Sequence, residues 1–286
     1  MAPPPKRKAA SSVDVPPGDD DALGPSASAD DQGGVVVSPT VPPPGPEEPH
    51  SLIGAPLDPI DVGEDWPFTL AGRIQSLRSF VNVSTGVYGV KAVPAGLSWT
   101  TNRVVSSTLC VTGSDQPLAI WIPVTISKLW LYDASGNPHR RASLTGTPVC
   151  DVDTVMLRNL VRNFSSGGHG TEPLHEIRAS RDQSTKVRGE RALSVRDFDQ
   201  VYNATVALKK KEAMEMLDGS SLSEGDVVVL EVTVTRYYDK WSPDKKPAFD
   251  SWKVSFKMDS VYVLHQGVDQ PRVKRVRAQG VADFEL

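Results

Sequence analysis

Two stretches near the C-terminus alternate with a period of two, and they constrain the fold more than any other feature of the chain. In Val227–Tyr238 the even positions Val228, Leu230, Val232 and Val234 are apolar, and the odd ones hold Glu231, Thr233, Thr235 and Tyr237. In residues 252–264 the even face holds Trp252, Val254, Phe256 and Met258, then Tyr262 and Leu264, against Lys253, Ser255, Lys257 and Asp259. A strand sends successive side chains to opposite faces, so each stretch has one core face and one polar face. The pair predicts an antiparallel hairpin entered through the Gly225-Asp226 turn.

A third alternating run covers residues 118–132. Its even positions form an apolar face from Leu118 to Tyr132, broken by Lys128, and Trp130 belongs to that face. Pro123 removes a ladder donor and predicts an edge, a bulge or a split there. Residues 68–78, 87–93 and 103–112 are further strand candidates, and 201–208 is a strand or part of a helical stretch. Asp153-Thr154 caps a helix over 155–164, and 209–217 is a short helix stopped by Gly219. Residues 165–191 are polar and Gly-rich and predict a mobile excursion. The expected fold is mainly β: an OB-like antiparallel barrel with one or two short helices, one of them between the third and fourth strands. A jelly-roll-type β-sandwich fits the strand count as the alternative.

Composition divides the chain near residue 65. All 19 Phe, Trp and Tyr residues lie at Trp66 or later, whereas 14 of the 24 prolines precede it. Residues 1–65 carry a net charge of −9 and the remainder +5, so the overall −4 conceals a basic body. A segment without aromatics and rich in Pro, Asp, Ser and Gly cannot bury enough apolar surface to offset chain entropy. Residues 1–65 are therefore expected to be a disordered acidic tail, 66–268 a β-rich domain and 269–286 a basic C-terminal segment. The tail's acids either self-repel and extend it or mimic phosphates in front of a basic site. Lys6, Arg7 and Lys8, behind three prolines, fit a nuclear import signal and an import receptor as partner; otherwise they are a solvated charge cluster. The expected location is the nucleus of a eukaryotic cell, for a host or viral protein.

Two cysteines make neither a disulfide framework nor a Cys-rich zinc site, and Cys110 and Cys150 are expected to be buried thiols. No apolar run reaches the length of a membrane span, and no membrane partner is expected. The five histidines lack metal-ligand spacing, and no phosphate loop or nucleophile elbow occurs. No catalytic residue, metal or cofactor is expected, and a non-enzymatic role follows.

The loop between the two hairpin strands carries the main functional expectation. Tyr237, Lys240, Trp241, Lys245, Lys246 and Phe249 interleave cations and rings, and Lys253 and Lys257 continue on the polar face of the next strand. Single-stranded nucleic acid needs cations along its phosphates and ring faces under its bases. The reading is a single-stranded nucleic-acid-binding protein, DNA favoured; the bland alternative folds Trp241 and Phe249 back onto the barrel. Further basic groups are Arg178, Arg181, Lys186, Arg188 and Arg191 in the excursion, and Arg272, Lys274, Arg275 and Arg277 near the end. Ser143, two residues after Arg140-Arg141 and near a Gly136-Asn137-Pro138 turn, matches a basophilic kinase site on an accessible turn. The rival reading is a viral coat-type or other self-assembling β-sandwich protein, which includes homo-oligomers.

Overall fold

The computed structural model describes residues 58–100, 107–166, 174–186, 193–238 and 251–267. Among them are helices α1 (Phe68–Arg78) and α2 (Asp151–Phe164). The strands are β1 (Val81–Asn82), β2 (Val87–Gly89), β3 (Leu97–Trp99), β4 (Leu109–Val111), β5 (Ala119–Tyr132) and β6 (Pro138–Pro148). They continue as β7 (Ile177–Asp182), β8 (Ser184–Lys186), β9 (Leu193–Val195), β10 (Val201–Asn203), β11 (Val227–Tyr238) and β12 (Trp252–His265). The fold is mainly β, as the alternation requires. No helix among the described residues is long and apolar enough to cross a membrane.

Five strands pair in a cycle. β5 pairs β6, β6 pairs β7, β7 pairs β12, β12 pairs β11, and β11 returns to β5. The β7–β12 pair is parallel, as are β2–β5 and β10–β12, so the sheet is mixed rather than the antiparallel one expected. Helix α2 falls between the second and third strands of the cycle, not between the third and fourth, and packs Leu157 and Leu160 onto its core.

The hairpin is where the sequence placed it, with a correction in register. Tyr237 faces Lys253, and pairing runs unbroken to Val232–Met258. Asp259 is then bulged, because Glu231 pairs Ser260. One extra residue reverses the faces. Phe256 and Met258 point into the cycle with Val261 and Val263, while Tyr262 and Leu264 turn outward.

The same device operates in β5. Val124 and Ile126 point inward, but the register shifts between Ile126 and Lys128. Beyond it Leu129 and Leu131 pack on the inner core, and Lys128 and Trp130 are exposed. The expected single even face is thus wrong from Ser127 to Leu131; a second shift before Tyr132 returns that ring to the inner core. Pro123 is buried in a continuous strand, neither edge nor split. Its carbonyl accepts from the Val149 amide, so its missing donor points to the same side. On that side β2 ends opposite Trp121 and β6 ends opposite Val124, and the carbonyl of Val149, beside Pro123, accepts instead from the Asp61 amide.

Residues 68–78 are a helix, not a strand. Leu70, Ile74 and Leu77 recur at helical spacing and pack on a second core, outside the cycle, with Trp121, Val227, Val229, Tyr262 and Leu264, whereas Phe68 is exposed. Residues 209–217 hold only a single 3-10 turn, and 177–182, expected to be mobile, form ring strand β7. Asp58, Ile60 and Trp66 belong to the folded body: Asp58 bonds Arg78 and Lys91, and Ile60 and Trp66 pack on the second core. Of the tail expected to be disordered over 1–65, residues 1–57 lie outside those described.

Candidate nucleic-acid interface

α1 covers part of the outer face of the cycle and β10 extends the sheet beside the end of β12; alternate residues of five strands build the rest. On β11 these are Thr233, Thr235 and Tyr237, and on β12 they are Lys253, Ser255 and Lys257. β7 contributes Arg178 and Ser180 between the inward Ile177 and Ala179. β6 contributes Arg141, Ser143 and Thr145, and β5 contributes Lys128 and Trp130. One lateral row reads Trp130, Ser143, Ser180, Lys257, Thr233 across five strands, and Lys128, Thr145 and Arg178 lie in the row beside it. Neighbouring strands are about 4.8 Å apart, so Trp130 and Lys257 are separated by roughly 14 Å along the row.

Trp130 is 40% exposed, unusual for so large an apolar ring. The Arg178 guanidinium lies 5.4 Å from its ring centroid, a cation–π distance. Arg178 also donates to the Ser143 hydroxyl at 3.5 Å. Two carboxylates temper the positive charge: Asp259 is 3.4 Å from Lys257, and Asp182 is 4.0 Å from Arg140. Hydrogen bonds from Ser184 hold the Asp182 carboxyl below its ordinary value.

The far end of the hairpin is fastened on its other side. The Arg236 guanidinium is 4.9 Å from the Trp99 ring centre and 5.2 Å from that of Trp252. The Trp252 indole donates to the Phe164 carbonyl at 2.8 Å, and Ser165 and Ser166 bond the Val254 and Trp252 amides. The end of α2 therefore fixes the start of β12 at Trp252 and Val254.

No protein-family model and no curated protein matches the chain. Three solved structures resemble it in part. The bacteriophage T7 protein gp2.5, a single-stranded DNA-binding protein, is 12% identical over 59% of this chain and 100% of its own, with a TM-score of 0.34. The single-stranded DNA-binding protein from bacteriophage Enc34 is 13% identical over 56% of this chain and 86% of its own, with a TM-score of 0.30. Its complex with single-stranded DNA gives 11%, 55%, 89% and 0.28.

Of the residues singled out in the sequence, Tyr237, Lys253 and Lys257 share one face, and Tyr237 and Lys253 are cross-strand partners. Lys240, Trp241, Lys245, Lys246 and Phe249 lie outside the described residues, as do Lys6, Arg7, Lys8, Arg188, Arg191 and the C-terminal basic group. Ser143 does not lie on the accessible turn expected of it. It sits inside β6, 1% exposed, where the strand begins directly after that turn. Cys110 and Cys150 are buried, and burial pushes the Cys110 thiol up. Lys128, Trp130 and Arg178 were missed as members of this face. Trp130 had a readable signal: the apolar parity switches at Ser127, where Leu129 and Leu131 take over from Val124 and Ile126.

Proposed function

We propose that the protein binds single-stranded nucleic acid, DNA first, without catalysis, across the open outer face of β5, β6, β7, β12 and β11. The cycle of strand pairs is read as an OB-like barrel. Counted from β5, strands two and three are β6 and β7, and the loop between strands four and five is 239–251; these are the usual contacts for oligonucleotides on that fold. The observation that carries the reading is Trp130, exposed beside Arg178, on a face that also presents Lys128, Arg141, Lys253, Lys257 and Tyr237. The ring is a platform for a base, and the cations follow the phosphates on either side. Such a site is insensitive to sequence and sensitive to salt. Lys6-Arg7-Lys8 and an import receptor would bring the protein to the nucleus.

The test is a fluorescence titration with a dT oligonucleotide over a salt series. Affinity falls steeply as salt rises, and Trp130→Ala costs about 1–3 kcal/mol of binding, the worth of one stacked base. Affinity that is flat with salt, or unchanged in Trp130→Ala, removes this face as the site.

A further inference from the structure

A second feature lies on the covered side of the molecule. A cavity of about 780 Å³ opens beside the second core, within the usual size range of small-molecule sites. Its wall is aromatic: Phe80 stacks on Trp121 at 4.4 Å and 18°, and Tyr262 meets Trp121 edge-on at 5.9 Å. Trp121 is almost fully buried, whereas Phe80 keeps part of its ring exposed.

One carboxylate fixes that wall. Glu231 Oε2 accepts from the Trp121 indole at 3.2 Å and from the Tyr262 hydroxyl, and Oε1 accepts from Lys211 Nζ at 2.8 Å. Burial and the Glu231 charge keep the Tyr262 phenol protonated by raising its pKa. Trp121, Tyr262 and Lys211 are thus held in place before any ligand arrives, which lowers the cost of binding. Lys209 and Lys210, the exposed neighbours of Lys211, also line it, and Gln116 and Thr233 add hydrogen-bonding groups. A flat apolar wall beside consecutive lysines suits a planar heterocycle that carries an anion.

We propose that this cavity binds one nucleotide, with its base against Phe80 and its phosphate monoester between Lys209 and Lys210. The site shares Thr233 with the Trp130 face, and Asp259 in its lining pairs with Lys257 of that face, but the groups proposed to hold base and phosphate, Phe80, Lys209 and Lys210, lie off it. The shared chemistry has two sources, a free nucleotide and the phosphorylated end of a strand. Calorimetric titration of the full chain with dAMP, deoxyadenosine, 5′-phosphorylated d(A)12 and unphosphorylated d(A)12 separates them.

The expected result is saturable dAMP binding, at least tenfold tighter than deoxyadenosine. The double variant Lys209→Ala, Lys210→Ala weakens dAMP at least tenfold, while its affinity for unphosphorylated d(A)12 changes less than twofold. Phe80→Leu, which keeps an apolar side chain, weakens dAMP with the lysines intact. A strand-end source adds a preference for phosphorylated over unphosphorylated d(A)12 that the lysine variant abolishes; a free-nucleotide source gives none. No dAMP binding and no preference for the phosphorylated strand overturns the proposal, as does dAMP binding that the exposed-lysine variant leaves unchanged. Loss of d(A)12 binding in Trp130→Ala with dAMP binding intact leaves it standing.

Discussion

Arg78 reaches three side chains from a position with no solvent exposure. Its Nε and Nη2 bond both Asp153 oxygens at 2.7 and 2.6 Å, Nη1 bonds Gln75 at 2.6 Å, and Nη2 also bonds Asp58 at 3.0 Å. Asp153 is equally buried, so the helix-start role expected of it is secondary to this pairing. Removing one partner strands the other charge in the interior, which costs about 3–5 kcal/mol. Asp153→Asn is expected to lose stability on that scale in urea unfolding, and Asp153→Asn with Arg78→Met to lose less than the two single changes added together. At the solvent edge of this network, hydrogen bonds from Lys91 and Arg78 hold the Asp58 carboxyl below its ordinary 3.8. A carboxyl depressed in the folded state contributes stability above its unfolded pKa and loses it as pH falls through the folded one. The melting temperature of Asp58→Asn should therefore lie below that of the native chain at pH 6. The two should converge as pH falls below about 4.

Among the elements, alternation exposed β11, β12 and the first half of β5, because period two survives wherever one face is buried and the other is wet. It failed at α1, where Phe68 and Leu70 imitate a strand while Leu70, Ile74 and Leu77 carry the true spacing. It failed again past the bulges at Ser127 and Asp259, where one extra residue exchanges inside for outside. The site was partly hidden for the same reason: a continuous even face assigns Trp130 to the core. Strand β7 was missed because it is short and polar, and it joins the cycle through pairing with β6 and β12, which no local pattern reports. Docking of α1 on the second core depends on Ile74, which is fully buried. Ile74→Ala should cost about 2–5 kcal/mol in urea unfolding. Oligonucleotide affinity at constant salt should be retained, since the Trp130 face does not include α1.

For the molecule as a whole, charge and its placement separate two kinds of surface. The net −4 of the full chain argues against a polyanion partner, yet the outer face gathers Lys128, Arg141, Arg178, Lys253 and Lys257 from four strands. If each cation meets one phosphate, Lys128→Ala and Lys257→Ala should each lower the slope of log affinity against log salt by about 1 and weaken all sequences alike. A change confined to one sequence would point to base reading instead. One feature of the interior bears on how this face keeps its geometry. Pro123 sits between the paired ends of β2 and β6, where the Val149 carbonyl takes its proton from the Asp61 amide and asks none of residue 123. A slide of β5 by two residues would preserve its inside-outside pattern, yet bring the imide against a strand that expects a proton. Pro123 therefore acts as an index mark along β5. It opposes the slipped alignment that alternation alone would tolerate, one that would carry Trp130 away from Arg178.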